Sequence, residues 1–426
     1  MTILPDRPCA LFWDESFLWG LMAWRALREA GLPFDLIRSH DIRAGKLSRY
    51  AMLFVPGGWA SAKLHALEEK GQSEIRRFVA KGGSYLGICG GAGMATESGL
   101  ALLPVGRLPT KDRVPSFSGP IRLSLADHAI WSGIRTPVFH AWWPLQFHIA
   151  EETSLDILAR YDEALDDAYC ADVRVGEGRM TGWSEWEERY GIYMDPYRLK
   201  DEPAVVEGRH QRGKVLLSLV HFDTPGDQNG AWVLRNLWRY LIRDDDCCFR
   251  SGNMSQKNRI NAADYCQFKG ILDDINDAVA GLIAAGEQKH LWRWRNPLLL
   301  RWQRGVRGME CSTLAAMIDE INGCLSRYSQ ARPGKEPSPP ETIDSSHLSQ
   351  DLALIRELII PFTEKAKILL ARENQSGATL PLSSTDDPDE EISSLKLNLF
   401  GSSRSYGGDF KRLIDAVDDI LFKLIR

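Results

Sequence analysis

The sequence predicts an α/β protein: a parallel sheet flanked by helices, followed by a mostly α-helical C-terminal domain. Three observations carry that expectation. Short apolar strands alternate with helical stretches through the first half, the rhythm of a parallel sheet covered on both faces. At Ser84-Tyr85-Leu86-Gly87-Ile88-Cys89-Gly90-Gly91 a strand runs through a sharp turn into a helix, with a thiol at the apex. Beyond Asp244-Asp245-Asp246 the texture changes to long stretches with apolar residues at helical spacing. At 426 residues the chain exceeds one compact core of average size, and the expected division is 1–246 and 247–426.

Ala10-Leu11-Phe12-Trp13 reads as the first strand. Residues 18–30 form an amphipathic helix closed by Gly31, and a short strand follows around 34–37. Ala51-Met52-Leu53-Phe54-Val55 is a continuous apolar strand, and a helix over 63–80 ends at Lys81-Gly82-Gly83. From 121 to 191 the pattern becomes strand-rich and irregular, with many aromatics. Parallel order is expected to resume with Ala204-Val205-Val206 and with a buried strand over 213–220, before a closing helix over 230–242. In the second half Ile271, Ile275, Val279 and Leu282 mark one helical stripe within 261–285, and 314–325, 352–371 and 413–425 repeat that character. Residues 333–349 and 375–394, rich in Pro, Ser and acids, read as loops or disorder, with the acidic run 386–391 as a solvated loop.

Chemistry is expected where strands end. A nucleophile elbow needs a strand to aim the chain, glycines to keep Cβ atoms out of a strained turn, and a helix whose N–H groups favour thiolate. Cys89 has all three; the alternative is a tight strand–helix turn around a small buried thiol. A thiol nucleophile also needs a base and a group to orient it. The strand over 213–220 runs into His221-Phe222-Asp223, which places a His and an acid on one face as base and carboxylate partner. The strand over 51–55 exits through Pro56-Gly57-Gly58-Trp59, where bare backbone N–H groups at Gly57 and Gly58, with that of Gly90, can face a developing oxyanion. Nucleophile, base pair and oxyanion donors therefore fall at three strand ends, where open α/β sheets place their sites.

Val55-Pro56-Gly57-Gly58, the run 82–92 and the run 213–218 continuing into His221-Phe222-Asp223 have the order and spacing of a class I glutamine-amidotransferase-like domain. The stretch from about Cys9 to Arg243 resembles that domain, more narrowly the form found at the N-terminus of fungal biotin–protein ligases and in stand-alone bacterial proteins. The resemblance implies a flavodoxin-like sheet, Cys89 as nucleophile, His221 as base, Asp223 as its orienting acid, and Gly58 and Gly90 as the oxyanion hole. It also implies that the segment holding Trp142 and Trp143 borders the pocket. The chain departs from glutaminases in having Gly93 near the position of their usual Gln, and His-Phe-Asp for their His-Pro-Glu. The adenylate-binding Gly-Arg-Gly motif of biotin ligases is missing, and no ammonia-accepting synthase domain is recognisable. In the related ThiJ/PfpI-like proteins an acid after the first strand contacts the cysteine, which makes Asp14 or Glu15 a competing partner for Cys89; one of them otherwise caps the following helix.

The leading expectation is thus a cysteine-dependent amidotransferase or amidohydrolase acting through a thioester on a small amide or acyl substrate. A catalytically silent binding protein and a ThiJ/PfpI-like thiol hydrolase are the alternatives. Trp59, Trp142 and Trp143 are candidate substrate contacts, with Trp183 and Trp186 a weaker pair. No metal or organic cofactor is expected. Net charge −5 gives no electrostatic case for nucleic acid, and no stretch has the length of a membrane span. The start has no signal-peptide pattern, and eight scattered cysteines, with Cys247-Cys248 adjacent, suit a reducing cytoplasm. The basic, aromatic stretch 289–302 is expected to be a helix packed on the first domain. A protein partner for the helical domain is a further expectation.

Overall fold

The computed structural model describes residues 7–150, 153–242, 258–259, 262–303, 305–330, 341–342, 345–375, 390–402 and 406–426. The chain divides into two compact units, Met1–Ser251 and Gly252–Arg426. Cys247-Cys248 lie outside the described residues.

The first unit opens with β1 (Arg7–Phe12), α1 (Phe17–Glu29), β2 (Asp35–Ile37), α2 (Ser39–Arg43), β3 (Tyr50–Val55), α3 (Ala60–Ala80), β4 (Ser84–Ile88) and α4 (Gly90–Met94). A strand-rich segment follows: β5 (Gly106–Arg107), β6 (Phe117–Leu125), β7 (Val138–Trp142), β8 (Phe147–His148), β9 (Asp156–Ala164), β10 (Tyr169–Cys170) and β11 (Val173–Arg174). Two short helices, α5 (Val175–Thr181) and α6 (Ser184–Tyr190), precede β12 (Pro203–His210), β13 (Gly213–Ser218) and α7 (Gln228–Ile242).

These strands build one mixed sheet in the order β11-β10-β6-β9-β12-β13-β4-β3-β1-β2, with β7 paired to β6. The half from β2 to β13 is parallel. Its strands are buried on both faces, β4 without exception, which explains their unbroken apolar runs. The expected return of parallel order at 204–206 is corrected: β12 is antiparallel to both β9 and β13. The short link between His210 and Gly213 can join only antiparallel neighbours. Val55 pairs with Gly87 and Ser218 with Ile88, so the segments leaving β3, β4 and β13 emerge side by side from one edge.

The second unit contains β14 (Asn258–Arg259), α8 (Ala262–Gln288), β15 (Trp292–Asn296), β16 (Leu299–Trp302), α9 (Met309–Gln330), β17 (Glu341–Thr342), α10 (Ser345–Gln375), α11 (Glu390–Phe400) and α12 (Gly408–Ile425). Phe362, Phe400 and Phe410 form an aromatic knot, with ring centroids 5.7–6.3 Å apart. The helix expected over 289–302 is instead an antiparallel hairpin, Trp292 opposite Trp302. The Asn296 side chain accepts the N–H groups of Leu298 and Leu299, both at 2.9 Å, which closes the turn around Pro297. Residues 345–349 and 390–394, expected as loop, are helical: Leu348 and Ile392 are buried anchors, and Glu390 and Glu391 occupy the first turn of α11, where the helix dipole favours carboxylates. Residues 331–340, 343–344 and 376–389 lie outside the described residues.

A chain truncated at Ser251 is expected to fold with its own core and to melt in one cooperative transition when followed by near-ultraviolet circular dichroism. Aggregation, or loss of the near-ultraviolet signal, would show that the first unit is incomplete alone.

Candidate active site

Cys89 sits at φ 51°, ψ −105°, a backbone conformation in which a side chain is strained by about 1–3 kcal/mol. Two bonds hold it there: its N–H donates to the Ser218 carbonyl at 2.8 Å, and its own carbonyl accepts from Gly93 N–H at 2.9 Å. The buried Tyr85 hydroxyl donates to the Gly91 carbonyl at 2.7 Å, fixing the next turn. The helix behind the thiol, α4, has only five residues, so the dipole expected there reduces to the first few backbone N–H groups. Among the cysteines whose side chains are described, Cys89 is half-buried, whereas Cys9, Cys170, Cys311 and Cys324 are buried. Burial pushes the thiols of Cys9, Cys170 and Cys311 well up and that of Cys324 to about 12.

Two bare backbones make the elbow. A Cβ built on Gly90 would lie 1.8 Å from the Gly58 carbonyl oxygen, and Gly58 itself has φ +107°, open only to glycine. Gly57 lies under the rings of Trp19 and His221. The three glycines expected as oxyanion donors are thus gathered beside the thiol's turn.

His221 and Asp223 are both fully buried, and Nδ1 of the imidazole lies 2.9 Å from Oδ1 of the carboxylate. Their shared face does not come from strand alternation, since β13 ends at Ser218. A turn brings them together: Thr224 N–H donates to the His221 carbonyl at 3.3 Å, and the Thr224 hydroxyl donates to the same oxygen at 3.1 Å. The shorter Asp side chain spans the gap because this turn folds it back. On the other side, His221 N–H donates to the His140 carbonyl at 2.7 Å. Burial pulls the His221 pKa down. The charge of Asp223 and its hydrogen bond, with a smaller contribution from Cys89, outweigh that and push the pKa up to about 9. Nε2 of His221 is buried with no hydrogen-bond partner, and the Cys89 sulfur is 3.8 Å from the Trp142 carbonyl oxygen, within reach of an S–H donor. Both the charge and the hydrogen-bonding capacity of Cys89 act on the imidazole, which makes the thiol its neighbour.

Asp14 does not serve the thiol as the ThiJ/PfpI-like wiring expects. Its carboxylate accepts Ser39 N–H at 2.7 Å and pairs with Arg38 Nε at 3.5 Å, so it caps α2 rather than α1. Glu15 is half-buried at φ 55°, and its carbonyl lies 2.8 Å from where a Gly58 Cβ would be. Lys63 of α3 is fully buried; Nζ donates to the Ser16 hydroxyl, sits 3.4 Å from the Asp14 carbonyl and lies 5.4 Å from the Phe12 ring centroid. It ties the loop after β1 to the start of α3.

Trp142 is buried and donates its indole N–H to the Thr224 hydroxyl at 3.0 Å; Trp143 is half-buried, and Trp59 is 42% exposed at the start of α3. Trp183 and Trp186 pack locally in α5 and α6, Trp186 donating to the Thr181 hydroxyl. Two residues of this neighbourhood escaped the sequence reading. Trp19, counted there as one apolar residue of a helix, lies 4.9 Å from the His221 ring. Thr224, the residue after the His221-Phe222-Asp223 run, links Trp142 to His221. Their signal was position: both follow strand ends at the edge that carries Cys89. Among the described residues no group of three or more His, Cys, Asp or Glu side chains converges as a metal site, and no helix is long and apolar enough to cross a membrane.

A family model described as biotin-protein ligase, N terminal, matches residues 46–98, the segment from the approach to β3 through the elbow. No curated protein matches the sequence. Among solved structures, the chain is similar to a glutamine amidotransferase from Thermotoga maritima, at 12% identity and TM-score 0.37, over 56% of this chain and all of that one. It is similar to a cytoplasmic protein from Salmonella typhimurium LT2, at 14% identity and TM-score 0.34, over 55% of this chain and 99% of that one. It is also similar to a β-galactosidase from Bacillus circulans sp. alkalophilus, at 13% identity and TM-score 0.33, over 55% of this chain but 31% of that one.

Two outcomes follow from this geometry. Gly90→Ala should destabilise the first unit by about 3 kcal/mol or more, read from urea unfolding, because the new methyl meets a carbonyl oxygen it cannot displace cheaply. The second concerns pH. The His221 pKa is raised on folding, so its contribution to stability is complete below the ordinary value of 6.5 and is lost as pH rises through about 9. The thermal midpoint should fall across that window in the natural protein and stay flatter in Asp223→Asn; parallel curves would refute the pairing.

Proposed function

We propose that the first unit is a cysteine-dependent acyl-transfer enzyme, an amidohydrolase or amidotransferase, that cleaves a small amide or acyl substrate through a thioester on Cys89. The observation that carries this reading is a half-buried thiol at a strained elbow beside an imidazole kept protonated at neutral pH by a buried carboxylate. The Cys89 thiolate attacks the substrate carbonyl carbon, and the carbonyl electron pair moves onto oxygen, where the N–H groups of Gly58 and Gly90 stabilise it. Collapse of that intermediate expels the amine, which takes the proton from Nε2 of His221. Water, or an acceptor amine different from the one expelled, then attacks the thioester while His221 receives its proton, and Cys89 is released. Asp223 keeps the ring in the required orientation throughout.

Support comes from three strand ends converging and from a matched segment that ends just past the elbow. Limiting iodoacetamide at neutral pH, followed by peptide mapping, should label Cys89 before any other cysteine, and His221→Ala should slow that labelling at least about ten-fold. Labelling of other thiols first, with Cys89 untouched, would make the unit a scaffold without turnover.

A further inference from the structure

The loop joining β7 to β8 is clamped at Trp143, Pro144 and Gln146. Trp143 N–H donates to the Phe117 carbonyl at 2.8 Å, Arg113 donates to the Pro144 carbonyl at 2.7 Å, and the buried Gln146 accepts Val114 N–H through its side chain at 2.9 Å. Within this rigid loop Trp143 stands at φ 50°, a left-handed conformation costly for so large a residue, and yet its ring is only half-buried. Burial therefore does not repay the strain. The loop sets an indole among the aromatic rings that surround the site: Trp143 lies 6.2 Å from Trp142, whose carbonyl faces the Cys89 sulfur, and 6.3 Å edge-on from Trp19, which packs on the His221 ring.

Two more observations bear on what can enter. Leu145 of the same loop fills the space above α4, its Cδ2 being 2.8 Å from where a Gly93 Cβ would stand. Four charged groups near these strand ends are already bonded within the protein. Asp14 is held by Ser39 and Arg38, Lys63 by Ser16, and Asp223 by His221. Asp227 faces His140 at 3.2 Å and accepts Gly230 N–H at 2.9 Å. A free amino acid brings an ammonium and a carboxylate, both of which need partners when desolvated. A flat ring needs only a face.

We propose that the acyl group accepted by Cys89 carries an aromatic ring that packs against Trp143, so that the substrate is an aryl-bearing amide or acyl compound rather than an α-amino acid amide. This rests on the cysteine reading above and adds the specificity of the same site; Trp143 is its specificity-determining residue.

Three alkylating probes test it on the full-length protein: iodoacetanilide, iodoacetamide and a chloroketone analogue of glutamine. In each the Cys89 sulfur displaces halide and forms a carbon–sulfur bond. Rates at Cys89, each divided by the same probe's rate with glutathione, are compared by peptide mapping. The aryl probe is expected to gain about ten-fold or more over iodoacetamide, the scale of one aromatic stack, with saturation at high concentration. Trp143→Ala should erase the gain, bringing the aryl probe's normalised rate down to that of iodoacetamide in the same variant, and Trp143→Tyr should restore most of it. Equal normalised rates for the aryl probe and iodoacetamide, or a faster glutamine analogue, would overturn the aryl proposal and leave the nucleophile standing. Failure of all three to label Cys89 would overturn both. The comparison in the natural protein decides even if Trp143→Ala does not fold.

Discussion

Gly90 lies so close to Gly58 that no side-chain atom fits between their backbones, and the other features of the site are arranged around that contact. It joins the loop after β3 to the turn after β4, two segments whose strands are already paired in parallel register. The third segment is tied in by the bond from Cys89 N–H to the Ser218 carbonyl. The sheet thus fixes the positions of the strand ends, and the bare backbones let the segments that leave them close on one another. Strain at Cys89 persists because both neighbours of the turn over-determine it.

The electrostatics depend on the same closure. A carboxylate and an imidazole with no solvent exposure would be unfavourable singly, and removing one partner of such a pair costs about 3–5 kcal/mol. Asp223 therefore does two things at once: it makes a buried charge on His221 tolerable and it selects which nitrogen of the ring points outward. Thr224 and the carbonyl of His140 restrain the same short turn, so the ring's orientation comes from several weak bonds rather than from one. The aromatic residues around it complete the exclusion of water, which strengthens each of those bonds.

The sequence made the parallel half of the sheet and the residues of the elbow readable because their constraints are local. Gly57, Gly58, Gly90 and Gly91 are required by backbone geometry, and buried parallel strands are apolar throughout. What stayed hidden depended on partners far along the chain. The run to Val220 is apolar beyond the end of β13, so burial concealed where pairing stops. The direction of β12 leaves no mark on its own residues. Alternating Trp and Arg over 292–302 reads equally as a helix with snorkelling arginines or as a hairpin, and only the Asn296 side chain decides between them. Trp19 looked like one more apolar residue of α1 because nothing in its local spacing reports the distant His221.

Lys63 adds a kinetic dimension. With no part of it exposed, its amine meets reagent only when the loop after β1 separates from α3, so each modification event counts one such opening. The ammonium works as a built-in clock for the breathing of the segment that lies against Gly58. Its exchange of solvent, measured against that of an exposed lysine, reads directly how often the site's floor comes apart and how much free energy keeps it assembled.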